Sequence, residues 1–239
     1  MWQMDFKGHF PVGAGRCHPL TVVDDHSRYA VTLKACADEQ RSSVQPALRA
    51  TFRRYGMPEC ILVDNGPPWG TSCRHRHTRL TAWLMQLGIE PIHGRPYHPQ
   101  TRGKNERFNG TLKLEVVDQG GFHSLAGLQA RFDRWRQTYN HIRPHQGIGD
   151  LPPASRFEEA TRRFPDRLPR IEYPSDCIVR RVQEDGRISI DGRARFISRA
   201  FARHPVGLRP TPQDGLFDVL FCGFRIGALD LTVPAHADT

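Results

Sequence analysis

CILVDNG, residues 60–66, reads as an apolar strand that ends on a carboxylate. A short hydrophobic run without helical periodicity, closed by Asp64-Asn65-Gly66, describes a strand buried on both faces and released into a turn. A carboxylate in such a place is costly unless it is paired or bound to a cation. Upstream, SSVQPALRATFRRY (42–55) reads as an amphipathic helix with Ser42 or Ser43 as its cap, Gly56 at its C-terminal end and Pro58 beyond. Residues 20–25 and 29–35 read as strands joined by a turn around Asp25-His26-Ser27. The segment WQMDFKG (2–8) is a further strand, and it carries a second lone carboxylate, Asp5.

Downstream of Asp64 comes a loop rich in Gly, Pro, Arg and His (65–76), then a helix (77–87) ending at Gly88 and a short strand, IEPIH (89–93). After the loop GRPYHPQ a helix begins with Glu106 in its first turns and runs to about Val117; another spans Ser124 to about Asn140. The order β-β-β-α-β-α-β-α-α is that of a mixed sheet with helices on both faces, an antiparallel meander first and right-handed parallel crossovers after it. In that sheet Asp5 and Asp64 can be neighbours, and Glu106 brings a third carboxylate from a helix. Oxygen donors arriving from strand, strand and helix suit a hard divalent cation. Two such ions can activate a water or a 3′-hydroxyl and stabilise the leaving oxygen of a phosphodiester.

The residues from 141 to 175 read as a Pro- and Gly-rich linker with a short helix near 153–162. From Asp176 onward the pattern changes to short alternating segments (CIVRRV, RISID, ARFISR, VGLRPT, LFDVLF, FRIGALDL) separated by Gly, Asp and Pro. That is the signature of a small all-β barrel or sandwich. The expected division is therefore a core over 1–157, a linker over 158–175 and an all-β domain over 176–231.

Composition narrows the partners. The 239 residues carry a net charge of +9, so a polyanion, nucleic acid first, is the expected ligand. Six scattered cysteines share no CxxC spacing, which argues against a zinc site or a disulfide framework, although Cys73 lies near His75 and His77. No apolar stretch is long enough to span a bilayer, so no membrane partner is expected.

Taken together, WQMDF, LVDNG and HPQTRGKNERFNGTLK (98–113) resemble the integrase core of retroviral integrases and insertion-sequence transposases, the DDE group with a ribonuclease-H-like fold. YNHIRPHQGIGDLPPASRF (139–157) resembles the closing segment of the bacterial members. The resemblance covers roughly residues 2–157. It implies a mixed five-stranded sheet followed by an SH3-like barrel, with Asp5, Asp64 and Glu106 as the catalytic, metal-holding triad. It also implies two Mg2+ ions, with Mn2+ as a substitute. The reaction implied is DNA end cleavage and strand transfer, on element ends and a target duplex, by a homo-oligomer assembled on DNA. A bacterial cytoplasmic, nucleoid-associated location goes with it. Two departures stand out. Forty-one residues lie between Asp64 and Glu106, more than the group usually has, and Met1 falls inside the first catalytic strand, so a truncated chain without the usual helix-turn-helix region is expected. The rival readings are a catalytically silent DNA-binding remnant and a ribonuclease-H-like nuclease.

On the Glu106 helix, Asn109 and Lys113 share the carboxylate's face by their spacing. Lys113, Lys104, Arg107, Asn109 and His98 are the candidate DNA contacts. Asp24 and Asp25 read as turn residues, Glu115 as a solvated acid on another helical face, and His93 and Trp69 as packing or loop residues. His141, Arg143 and His145 read as linker charges that could line DNA.

Overall fold

The computed structural model describes residues 1–70, 77–94 and 103–233. They form two compact units, Met1–Pro68 with Pro91–Phe164, and Trp69–Glu90 with Pro165–Thr239. The first contains β1 (Trp2–Phe6), β2 (Phe10–Val12), β3 (Gly15–Asp24), β4 (Ala30–Cys36), α1 (Arg41–Tyr55) and β5 (Cys60–Val63). In sequence α2 (Arg79–Gln86) comes next and belongs to the second unit; β6 (Glu90–His93), α3 (Gly103–Glu115) and α4 (Leu125–His141) follow.

The sheet runs β4-β3-β1-β5-β6, the mixed five-strand arrangement the sequence implied. β3 is antiparallel to both β1 and β4, and β1 is parallel to β5. One further strand was not anticipated. Gly8 takes φ +85° and breaks β1, after which β2 resumes pairing with β3 one residue out of register. β3 therefore starts at Gly15 rather than near residue 20.

Side-chain alternation sends the two faces of the sheet to different helices. On one face Cys17, Val23, Leu33 and Ala35 pack with Phe108 and Leu112 of α3 and Leu128 and Phe132 of α4. On the other, Trp2 stacks on Phe52 of α1 and Thr32 bonds Thr51. Neither Ser42 nor Ser43 caps α1: the N-cap is Gln40, and the Asp38 carboxylate upstream accepts from Gln40 N and Ser43 Oγ.

α4 also closes the outer edge of β4. Gln129 accepts from Ala35 N and donates to Leu33 O, Arg136 donates to Ala30 O and Val31 O, and Asn140 both accepts from Ala30 N and donates to Ala30 O. Spacings of seven and four residues keep these side chains on one face of the helix. They satisfy strand groups that would otherwise invite another chain to pair.

The segment after α4 holds only 3-10 turns at Gln146–Ile148 and Pro153–Ser155, not the expected helix near 153–162. The backbone there finds partners outside itself: Ala160 N donates to Tyr55 O and Met57 N to Arg162 O. Phe157 stacks on Tyr29 with ring centroids 4.1 Å apart. Gly56 allows this approach, since at φ +76° a Cβ there would sit 2.1 Å from Ala160 O.

In the second unit β7 (Ile178–Arg181), β10 (Pro205–Pro210), β11 (Leu216–Phe221) and β12 (Phe224–Asp230) form an antiparallel sheet, and β8 (Arg187–Ile190) with β9 (Arg193–Phe196) forms a hairpin. Its core gathers Ile188, Phe201, Leu208, Val219 and Phe221, and Ala82 and Met85 of α2 join it. Among the described residues no helix is long and apolar enough to cross a membrane.

Candidate active site

Pairing register brings the first two carboxylates together. Trp2 lies opposite Ile61 and Gln3 opposite Leu62 in parallel alignment, so the same offset carried on sets Asp5 beside Asp64. Both sit where the parallel strands finish, the end at which α/β sheets present their ligands. Glu106, exposed in the first turn of α3, completes one wall: Gln3, Asp5, Asp64, Asn105 and Glu106 line a single cavity of about 160 Å3. Among the described residues no three His, Cys, Asp or Glu side chains close to metal-holding distance, so the triad shares a cavity without converging on one point.

The two aspartates are held by neighbours. Asn109 Nδ2 donates to Asp5 Oδ2 at 3.3 Å. Thr21, opposite Asp5 in the β1–β3 register, donates to both Asp5 O and the buried Asn105 Oδ1, which ties α3 to the sheet. Asn65 N donates to Asp64 Oδ1, and Asn65 Nδ2 reaches Gly94 O at 3.0 Å. His93 Nδ1 lies 3.2 Å from Asp64 O, so His93 supports the β5 end, in keeping with a packing role. Gln3 and Asn105 were not anticipated. Gln3 was legible, since strand alternation puts it on the face of Asp5; Asn105 needed the third dimension.

The residues fit a hard divalent cation. The donors are all oxygens, and Asn109 Oδ1, on the residue that bonds Asp5, is buried without a hydrogen-bond partner.

The candidate DNA contacts divide. Asn109 belongs to the carboxylate site through Asp5. Lys104 pairs with Asp25 at 2.7 Å, and Asp25 accepts from Gln3 at 2.6 Å, so Lys104 is linked to the cavity wall through one acid. Lys113 pairs with Asp118 at 2.6 Å on the exposed end of α3. Arg107 is exposed and lines a separate groove. His98 lies outside the described residues, as do Cys73 and His75. Asp24 holds the turn, accepting from Ser27 N and Oγ. Glu115 is exposed, as read, and is bonded as well: it accepts from Trp135 Nε1 at 2.8 Å and pairs with Arg143.

Comparison with known proteins bears on the domains that carry this site. Residues 1–99 and 87–153 both match families described as Integrase core domain. The chain contains an integrase core domain. Residues 177–236 match the IS481 family transposase, C-terminal domain, so the integrase core here is followed by a transposase module. The chain is 36% identical over 155 residues to an uncharacterized 39.2 kDa protein of insertion element IS476 from Xanthomonas euvesicatoria, covering 64% of this chain and 42% of that protein. It is 29% identical over 154 residues to an uncharacterized 31.7 kDa protein of insertion element IS407 from Burkholderia multivorans, covering 64% and 53%. This integrase-core chain thus spans about half the length of the curated relatives it matches. In fold it is similar to a chain of the simian T-cell lymphotropic virus intasome solved with PP2A regulatory subunit B56 gamma. The TM-score is 0.52 at 19% identity, covering 98% of this chain and 78% of that one.

Proposed function

We propose that this chain is the catalytic part of a DNA transposase. It cuts DNA at the ends of an element and joins the resulting 3′-hydroxyl to a target duplex. The observation that carries the reading is the wall shared by Asp5, Asp64 and Glu106, in a chain with an integrase core domain. Asp5, Asp64 and Glu106 would hold two Mg2+ ions, for which Mn2+ can substitute. When bound, such ions polarise the attacking oxygen and neutralise charge on the departing one.

The chain's own residues do the positioning. Asn109 orients the Asp5 carboxylate, Asn65 and His93 fix the end of β5 that carries Asp64, and the Thr21–Asn105 bond sets how α3 presents Glu106. Lys104, Arg107, Asn109, Lys113 and His98 act on the DNA backbone, steering and holding phosphates rather than reading bases. In this reading the protein works in the bacterial cytoplasm at the nucleoid, as a homo-oligomer assembled on DNA.

A strand-transfer assay with a labelled element end and a plasmid target, in Mg2+, tests the proposal. Joined products are expected from the native chain and none from Asp64→Asn, with duplex affinity unchanged or slightly tighter once that negative charge is gone. Cut but unjoined products would assign a nuclease instead. No product at any divalent metal, with DNA still bound, would leave a silent DNA-binding protein.

A further inference from the structure

A groove of about 770 Å3 runs along α3 and is closed on its far side by Tyr139 of α4 and by Arg143, Pro144 and His145 just after it. It uses a different face of α3 from the carboxylates. At about 100° per residue, Lys104, Arg107, Thr111 and Leu114 turn away from Asn105, Glu106 and Asn109. Four cations line it, Arg28, Lys104, Arg107 and Arg143; Lys104 is paired with Asp25 behind the wall, and Arg143 with Glu115, the one lining carboxylate, which Trp135 also engages. Arg107 makes no ion pair among the described residues. Between the cations the lining mixes polar and apolar groups, Thr111 and Gln146 beside Pro144 and Leu114, the last of which is 67% exposed. His145 sits edge-on to Tyr139 with ring centroids 4.6 Å apart, and its Nε2 is buried without a hydrogen-bond partner.

We propose that this groove binds a short stretch of unpaired DNA strand. A single strand offers what the wall is built for, phosphates at intervals and free base faces between them. Basic tracks combined with apolar and aromatic surfaces are how single strands are held without sequence reading. A duplex keeps its base faces stacked inside and has no use for Leu114 and Pro144. The cations lie on both sides of the groove, Lys104 and Arg107 one turn apart on α3 and Arg143 opposite, so a backbone threading between them meets charge from each side. The choice of DNA over RNA rests on the function proposed above.

The test uses the full chain without metal. Fluorescence anisotropy reports binding of a dye-labelled oligothymidylate of about twelve nucleotides, of the matching duplex and of oligouridylate. Leu114→Glu puts a carboxylate into the groove at an exposed position that the core does not use. It should weaken oligothymidylate by about tenfold or more, the order of one lost base contact, and leave the duplex within about twofold. Independently, an oligonucleotide carrying 4-thiothymidine should crosslink the native chain within residues 103–115 or 139–147. Unchanged affinity in Leu114→Glu, crosslinks confined elsewhere, equal losses for single strand and duplex, or tighter binding of oligouridylate would each overturn the proposal. Groove crosslinking in a chain that cleaves no DNA would leave it standing and remove the activity; cleavage without groove crosslinks would do the reverse.

Discussion

At the scale of single residues, the sheet register gives Asp5 and Asp64 their meaning. Each alone reads as an ordinary strand-end acid; parallel pairing at one offset makes them neighbours. Their carboxylates are oriented by amides, Asn109 for Asp5 and the Asn65 backbone for Asp64, so function here depends on neutral residues as much as on acids. His145 offers a residue-level prediction. Burial, and then the nearby Arg143 and Arg28, push its pKa below the ordinary 6.5, while a backbone bond to Tyr139 opposes them. The unfolded chain therefore takes up this proton more readily than the folded one. The contribution is present above the ordinary histidine value and is lost as pH falls from there through the lowered folded value. Thermal melts from pH 7.5 down to 5 should show the native chain losing more stability than His145→Gln over that window. Parallel curves would mean that His145 titrates as it does in the unfolded chain.

At the scale of elements, α3 and α4 do unequal jobs. α3 carries Glu106 to one face and lines the basic groove with another, whereas α4 packs Leu128 and Phe132 into the core and seals the β4 edge. Asn140 is the tightest part of that seal, being 2% exposed and bonded to both backbone groups of Ala30. Arg136 also reaches Ala30 O, so Asn140→Ala orphans chiefly the Ala30 N–H. The expected cost is about 1–3 kcal/mol, the penalty for one buried unsatisfied donor, measured as a drop in urea midpoint at constant slope. A loss below about half a kcal/mol would show that water replaces the amide. Both helices were legible in the sequence, α3 after its Gly- and Pro-rich loop and α4 from Ser124, which caps it. The edge seal was not, because polar residues on a helix read as solvent-facing until the strand they meet is known.

At the scale of the whole molecule, charge and chain organisation matter. With 34 basic and 25 acidic residues, binding to duplex DNA should be dominated by counterion release. Raising salt from about 50 to 200 mM should weaken it by roughly a thousandfold or more if about six phosphates are contacted. A flat salt response would point to an interface of another kind. The second unit is discontinuous, since Trp69–Glu90 joins residues from Pro165 onward. Deleting residues 165–239 should therefore strip Ala82 and Met85 of Phe201, Val219 and their neighbours, leaving a shortened chain that binds hydrophobic dye and melts earlier than the full chain. A shortened chain with native stability and no dye binding would show that α2 needs no such core.

The sequence by itself determined most of the strands and helices, the mixed-sheet class, the three acids and the all-β character of the C-terminal segments. Period, turn chemistry and misplaced carboxylates are local signals, written within a dozen residues. Only the tertiary structure decided that α2 packs with a β-sheet built about a hundred residues later, that Phe157 and Ala160 lie along Tyr29 and Tyr55, and that Glu115 is a bonded acid. Those outcomes depend on which apolar face meets which, and burial is non-directional: it rewards any partner that excludes water, so the partner appears only once the chain has folded.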